Sequence, residues 1–349
     1  MTILSAIILL IFIKNSFTNK NYYIGISGKS GGHILPLINI LKNKKEKNNY
    51  NILITTNTDL DKKIVNHFLI QKDLNLNYFI NLDNIPNNFI NFLFYIPNFI
   101  VYIFKILYIL IKYNIKDIYT TGGYISVPVC IFCKILRIPI HLYLLDTIPG
   151  NAANFIYHFS DFNYFFSNFS KEDSNKFPLQ FNKNDIKDNL FAKKQFNIDL
   201  NKKVLFIVGG SQGATEINNI ITSSVSQLNK NITKNLFIIH QTGKIDCEKI
   251  KKFYNQIEID SIVFDYSFNC IDYYCAADFV ISRAGASSLY EIIYLNKNAL
   301  IIPLKNSANS HQEKNSIIAS KNNAFIDIII NKNELETIEK TIKFIEKNI

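Results

Sequence analysis

The residues best placed to do chemistry in this chain are its glycines and their immediate neighbours. Only 12 glycines occur in 349 residues, and eight fall in three places: Gly28, Gly31 and Gly32; Gly122 and Gly123; Gly209, Gly210 and Gly213. The first group lies in Gly28-Lys29-Ser30-Gly31-Gly32-His33, between the apolar run Tyr22–Ser27 and a helical stretch from Ile34. Glycines after a strand allow close backbone approach, and a helix start offers N–H groups and a positive dipole end to an anion such as phosphate. Gly209-Gly210-Ser211-Gln212-Gly213-Ala214 repeats the arrangement after Val204–Val208. Neither of the familiar phosphate fingerprints applies to the first loop. G-x-x-x-x-G-K-S would need a glycine where Tyr23 stands, and Gly25, Gly28 and Gly31 are three apart rather than spaced G-x-G-x-x-G. Farther on, Ser282 to Glu291 joins a strand to a helix, and its small hydroxyl residues suit either a helix cap or a diphosphate. Glu291, one turn in, has two readings: an acceptor for two vicinal hydroxyls, or an ordinary first-turn glutamate favoured by the dipole. Asn306 to Gln312 supplies polar groups suited to a neutral sugar.

Short β-rich runs alternate with helical stretches in both halves, the pattern of doubly wound parallel sheets. Strands are expected at Tyr22–Ser27, Asn51–Thr55, Asp117–Thr120 and Ile140–Leu144, then at Val204–Val208, Leu236–His240, Ser261–Phe264, Asp278–Ser282 and Ala299–Pro303. The expected organisation is an apolar extension at 1–20, a Rossmann-like domain at 21–167, a polar linker rich in Asn and Lys at 168–200, and a second Rossmann-like domain at 201–349. The two would face one cleft, with ligands outside the carboxyl ends of the strands.

Hydrophobic residues make up 48% and charged residues 19%, which excludes a disordered chain. The net charge of +10 is almost all lysine, since Arg137 and Arg283 are the only arginines. That argues against nucleic acid, whose bases and phosphates are read bidentately by arginine. The five cysteines form no disulfide framework, and the C-x-x-C of Cys130 and Cys133 lies in an apolar stretch that reads as core rather than as a metal or redox site. The first thirteen residues are apolar but too short to span a bilayer. A second apolar region, Phe89 to Ile111, is expected to break at Pro97 and Asn98. From Phe99 to Lys112 a helix would carry Lys105 and Lys112 on one face beside Tyr102, Phe104 and Tyr108. Such a helix suits an anionic membrane surface, or equally a core position with snorkelling lysines.

In order, SGKSGGHILP, TTGGYISVPV, VGGSQGATEIN, HQTGK, SRAGASSLYEI and SANSHQEKNS resemble the motif series of family 28 glycosyltransferases, over roughly residues 22 to 330. The resemblance implies an α/β GT-B fold and inverting transfer of N-acetylglucosamine from UDP-N-acetylglucosamine to lipid I, giving lipid II for peptidoglycan. The alternatives are a GT-B enzyme for another lipid acceptor, or a non-catalytic nucleotide-sugar-binding protein. By the same resemblance Ser30, Gly31 and Gly32 would lie near the donor diphosphate and Ser211 would contact it from the other domain. Ala286, Ser287, Ser288 and Leu289 would line the nucleotide site, Glu291 would bind ribose, and His311 with Gln312 would hold the sugar hydroxyls. The uracil edge would meet the backbone near Ser267 and Phe268. No cofactor, catalytic metal or nucleic acid is implied. The implied partners are UDP-N-acetylglucosamine, a lipid-linked muramyl-pentapeptide and the cytoplasmic surface of the inner membrane, to which the protein would attach peripherally.

The sequence departs from the family at three points. Lys29 and Ser30 replace the second and third members of G-G-T-G-G-H. Tyr143-Leu144-Leu145-Asp146 stands where H-E-Q-N is usual, and Gln180 after Phe177-Pro178 replaces an arginine. For the base that deprotonates the acceptor hydroxyl, His33 is the candidate, because an imidazole of ordinary pKa, about 6.5, is largely neutral at pH 7. A role in helix capping or in holding donor phosphates is the alternative for His33. Asp146, a carboxylate where the family carries Asn, is the competing base or an orienter of His33.

Overall fold

The computed structural model describes residues 20–28, 31–45, 48–82, 89–209, 215–304, 310–330 and 333–349, the side chains of 89–93 excepted. The apolar run that starts the chain, too short to span a bilayer, lies outside that set. Strand β1 (Asn21–Ile26) leads into helix α1 (Gly31–Asn43). Then β2 (Asn49–Thr56), α2 (Asp59–Ile70), β3 (Leu76–Ile80), α3 (Phe89–Lys112), β4 (Ile115–Thr120), α4 (Ser126–Ile135), β5 (Ile140–Leu144), α5 (Asn151–Tyr157) and β6 (Phe162–Phe165) come in alternation. Next are α6 (Lys171–Lys176), a 3-10 turn at Lys183–Asp185, α7 (Asn189–Gln195), β7 (Lys203–Val208), α8 (Thr215–Val225), α9 (Lys230–Lys234), β8 (Leu236–Gln241) and α10 (Cys247–Gln256). The chain ends with β9 (Ser261–Phe264), α11 (Ile271–Ala276), β10 (Phe279–Ser282), α12 (Ala286–Leu295), β11 (Asn298–Ile301), α13 (His311–Asn322), β12 (Ile326–Ile328) and α14 (Glu334–Lys347).

Two compact units result, one of residues up to Leu145 plus Pro149–Phe165, the other of Asp146–Ile148 plus Phe166–Ile349. Each holds a six-stranded parallel sheet, ordered β3-β2-β1-β4-β5-β6 in the first and β12-β11-β10-β7-β8-β9 in the second. Central parallel strands are covered on both faces, so they must be apolar along their whole length rather than alternately. Val204 to Ile207 of β7 and Ile24 and Ile26 of β1 are accordingly buried. The order reverses between β1 and β4 in one sheet and between β7 and β10 in the other, the position at which open parallel sheets bind their ligands.

Three expectations are corrected. Pro97 does not break the apolar region, because α3 runs unbroken from Phe89 to Lys112 with Pro97 inside it. A proline removes one helical hydrogen bond, and here Tyr102, Ile106, Ile109 and Leu110 seal one side of the helix into the core of the first unit and hold it in place. Residues 168–200 are not a bare linker; they carry α6, the 3-10 turn and α7 and belong to the second unit. Their folding rests on local caps such as Ser170 and Asp188 and on contacts far off in sequence, including Asn189 Nδ2 donating to the Ala276 carbonyl at 3.0 Å. Strands β3, β6 and β12 add to the expected set, and all three are sheet edges. Cys130 and Cys133 are buried and unbridged, with burial pushing the Cys130 thiol up to about 12, as packing residues should be.

Candidate functional site

In the second unit the switch point lies between the neighbouring strands β7 and β10. Residues 210–214, Ser211 among them, lie outside the described residues, as do Ser30, Lys29 and Asn306 to Asn309. After β10 comes Arg283-Ala284-Gly285, and α12 starts at Ala286 with its first intrahelical bond from the Leu289 N–H to the Gly285 carbonyl. The N–H groups of Ala286, Ser287 and Ser288 have no acceptor inside their own helix, and Gly285 supplies no side-chain cap. Gly285 sits at φ −70 and ψ 136, ordinary extended backbone, and among the described residues a Cβ there would meet nothing within 4 Å. Neither strain nor packing therefore calls for glycine; what its absent side chain leaves is open approach to a helix N-terminus. Leu289 does not face this opening, being wholly buried in the core.

Glu291, a further turn along α12, is 5% exposed and has no cation beside it among the groups that shift it. Burial pushes its carboxyl up to about 8, against the Tyr274 hydroxyl and the Gln180 backbone N–H, which hold it down. Burial also raises Tyr266 and Cys270, and the Glu291 charge adds to both shifts, so the loop after β9 lies against this carboxyl. Among the described residues no hydrogen bond reaches the buried Tyr266 hydroxyl. The expected uracil residues adjoin it: Phe268 packs edge-on against Tyr266 at 5.2 Å, and Ser267 Oγ donates to the Asn269 carbonyl at 2.8 Å. Sequence reasoning does not single out Tyr266, Cys270 or Tyr274, which carry no motif of their own.

Two buried clamps hold the switch-point loops. Arg283 donates to Glu216 of α8 at 3.1 Å and to the carbonyls of Ile302 and Pro303 at 3.3 Å, joining the exits of β10 and β11 to the first turn of α8. Asn315 of α13, wholly buried, donates to Asp146 Oδ1 at 2.9 Å and to the Ala284 carbonyl at 3.2 Å and accepts from the Thr147 N–H at 3.0 Å. Asp146 thus has a positioning contact in the second unit. Gln312 Oε1 accepts from the Leu304 N–H at 3.0 Å, bridging the loop before α13, and His311 is half-buried at the start of that helix.

The first unit repeats the device between β1 and β4. Ser27 Oγ and Thr121 Oγ1 lie 3.0 Å apart, and Thr120 Oγ1 donates to the Ile26 carbonyl at 3.0 Å. Gly122 and Gly123 take φ of +88 and +96, and a Cβ on Gly122 would stand 2.7 Å from that of Ala153. At Gly28 a Cβ would come within 2.7 Å of Thr56 Cγ2. Gly31 and Gly32 open α1, and His33, half-buried, is its third residue at the end of β1.

On α3 the lysines do not share an exposed face. Lys105 turns inward and donates to the Phe79 carbonyl at 2.6 Å, and Tyr102 is buried. Phe94, Val101, Phe104 and Tyr108 are the exposed row, each more than half accessible, with Lys112 against Tyr108 near the helix end.

Two family models match the chain: the glycosyltransferase family 28 N-terminal domain over residues 25–162 and the family 28 C-terminal domain over 204–349. A curated relative from Pelagibacter ubique, UDP-N-acetylglucosamine:N-acetylmuramyl-(pentapeptide) pyrophosphoryl-undecaprenol N-acetylglucosamine transferase, is 31% identical, covering 93% of this chain and 87% of the relative. Its namesake from Prochlorococcus marinus strain MIT 9312 is 30% identical over 95% and 88%. Among solved structures, MurG of Acinetobacter baumannii superposes with a TM-score of 0.65 at 18% identity, covering 93% of this chain and 90% of that one. The MnaA-UDP co-structure from S. aureus gives 0.57 at 12% identity, over 94% and 88%.

Proposed function

The chain belongs to glycosyltransferase family 28, and from that premise we propose that it transfers N-acetylglucosamine from UDP-N-acetylglucosamine to a lipid-linked N-acetylmuramyl-pentapeptide, the reaction its curated relatives are named for. The observation that carries this reading to particular atoms is the switch point of the second unit. There, among the described residues, a helix N-terminus with no side-chain cap beside a glycine that nothing obstructs shares its helix with a buried carboxyl that has no cation beside it. A nucleoside diphosphate matches that pairing, since its phosphates suit the first-turn N–H groups of α12 and its ribose hydroxyls suit Glu291. Uracil would lie by Ser267 and Phe268, and His311 and Gln312 would meet the sugar hydroxyls; Ser30, Gly31, Gly32 and Ser211 would contact the diphosphate.

For the diphosphate of the acceptor the proposed place is the exit of β4, beside Gly122 and Gly123. We assign the base to His33, which stands on the first turn of α1 at the end of β1. It takes the proton of the acceptor hydroxyl as that oxygen attacks the anomeric carbon, while UDP leaves from the opposite face. Asp146, held by Asn315, is assigned a positioning part. For a lipid-linked acceptor, the exposed row of α3 would attach the protein to the cytoplasmic membrane surface. Although Phe94–Lys112 is long and apolar enough to cross a bilayer, with a mean hydropathy of 1.9, its opposite side forms part of a protein core, so we read it as lying on the membrane.

Calorimetric titration with UDP tests the donor site. Glu291→Ala should lose roughly 1.5–3 kcal/mol of binding, the range for hydrogen bonds to a charged group. Unchanged affinity would remove Glu291 from the site.

A further inference from the structure

A sheet edge presents unpaired N–H and C=O groups, and proteins that stay single blunt it with charge, proline, shortness or a cover. The edges of this fold are β3 and β6 in the first sheet and β12 and β9 in the second. On β3, Lys105 Nζ donates to the Phe79 carbonyl at 2.6 Å. Strand β12 is only three residues long, with Asp327 exposed at its centre, and every residue of β9 is half-buried. The edge of β6 has none of these. Its sequence Phe162-Asn163-Tyr164-Phe165 holds no charge and no proline, and Phe162, Tyr164 and Phe165 are exposed. The charge-free run continues to Ser170, and the acid just before the strand, Asp161, is engaged by Lys134 at 2.7 Å.

Aromatic rings on one face of the first sheet form a stacked row that leads to this edge. Tyr119 of β4 stacks on His141 of β5 at 4.6 Å, His141 stacks on Phe162 of β6 at 4.6 Å, and beside them Tyr143 stacks on Tyr164 at 4.4 Å. The row stops at β6, with Phe162 50% and Tyr164 36% accessible. On the opposite face Phe165, 55% accessible, meets the exposed Tyr157 of α5 edge-on at 5.8 Å.

We propose that β6 is a self-association edge: it pairs antiparallel with β6 of a second copy about a two-fold axis, and the two sheets continue into one another. A strand turned through a two-fold meets itself antiparallel, so one patch must satisfy both partners. This one does. Aromatic side chains attract one another across paired strands, and here they stand on both faces of the edge. Copies carrying +10 each repel one another in general, and a stretch without charge is where they can approach. At roughly 200 Å² for an aromatic side chain, the accessible parts of Tyr157, Phe162, Tyr164 and Phe165 come to about 700 Å² for a pair of copies. The backbones of the two strands bring the total near the ~1,000 Å² at which specific interfaces begin, so the dimer should be weak and reversible.

Sedimentation of the purified chain over about a hundredfold range of concentration around 10 μM, the regime of a weak interface, tests this. The mass should rise with concentration from the 40.3 kDa of one chain toward that of a pair. Hydrogen exchange should slow at the same concentrations in the β6 amides that face away from β5. Phe165→Lys, which adds like charges at the edge, and Phe162→Ser, which shortens the ring row, should each weaken the dimer at least tenfold with the fold retained in thermal melts. Ile245→Lys, which charges an exposed side chain on the β8–α10 connection, should leave it unchanged. So should Val101→Ser/Phe104→Ser/Tyr108→Ser, which empties the exposed row of α3. A parent that stays single throughout the range would overturn the proposal. A dimer that survives both β6 variants, or one that the α3 variant abolishes, would overturn it as well.

Discussion

At the scale of single residues, Glu291 sets a pH dependence whose sign comes from its burial. Its carboxyl titrates near 8 in the folded chain without ligand, against an ordinary value of 4.5. Between those values the native state holds a proton that the unfolded state has lost, so stability should fall as pH rises, by at most about 1.4 kcal/mol per unit. Two ribose hydroxyls donating to the carboxyl need it ionised, so UDP should bind with release of a proton. UDP affinity should therefore rise up to about tenfold per pH unit from pH 6 and level off near 8. Thermal melts and UDP titrations of parent and Glu291→Gln across pH 5–9 check both slopes, and equal slopes in the two proteins would remove Glu291 as their source. Gly285 and Gly28 make a contrasting pair. At Gly285 an added methyl meets open space at an ordinary φ, so Gly285→Ala should leave stability unchanged or raise it by about 0.4–1 kcal/mol while weakening UDP binding at least tenfold. At Gly28 the methyl meets Thr56, and Gly28→Ala should cost about 1–3 kcal/mol of stability, which urea unfolding would measure.

At the scale of elements, α3 is an apolar helix with one side packed in the core and one side left to solvent. Val101→Ser/Phe104→Ser/Tyr108→Ser changes only exposed side chains and should cut partition to phospholipid vesicles at least tenfold with the melting temperature held. Lys105→Gln should not alter partition, because that ammonium is engaged by the Phe79 carbonyl. Equal sedimentation of the triple variant with vesicles would exclude α3 as the membrane face. The sequence periodicity carries this helix only in part. Pro97 is a strong local stop signal that tertiary burial of Tyr102 and Ile106 overrides, and inward turning of Lys105 cannot be told from outward turning by spacing alone. The central strands are legible because burial on both faces demands continuous apolar runs, as in Val204 to Val208. The edges β3, β6 and β12 are not, since one-sided exposure admits sequences such as Phe162-Asn163-Tyr164-Phe165 that look like loop.

At the scale of the whole molecule, two sheets of the same order each place a glycine-bearing turn at the switch between strands, and that repetition is visible in the sequence as glycines held to three places. The buried clamps are not visible there. Asn315 meets Asp146 across 169 residues and Arg283 meets Glu216 across 67, pairings that no local spacing encodes, although each residue except Asp146 lies inside a motif read for other reasons. Asp146 itself, where the family resemblance leads one to expect Asn, is bonded to Asn315 within the second unit. The purified protein should be supplied with labelled UDP-N-acetylglucosamine and, separately, lipid I, diacylglycerol and polyprenyl phosphate, with label traced into lipid and UDP release measured in parallel. Label should pass to lipid I alone, with one UDP released per sugar added, and His33→Ala should lose about 10²–10⁴ in turnover at unchanged UDP affinity. Preferred transfer to either other lipid, or tight donor binding with no transfer to any, would contradict the proposed function.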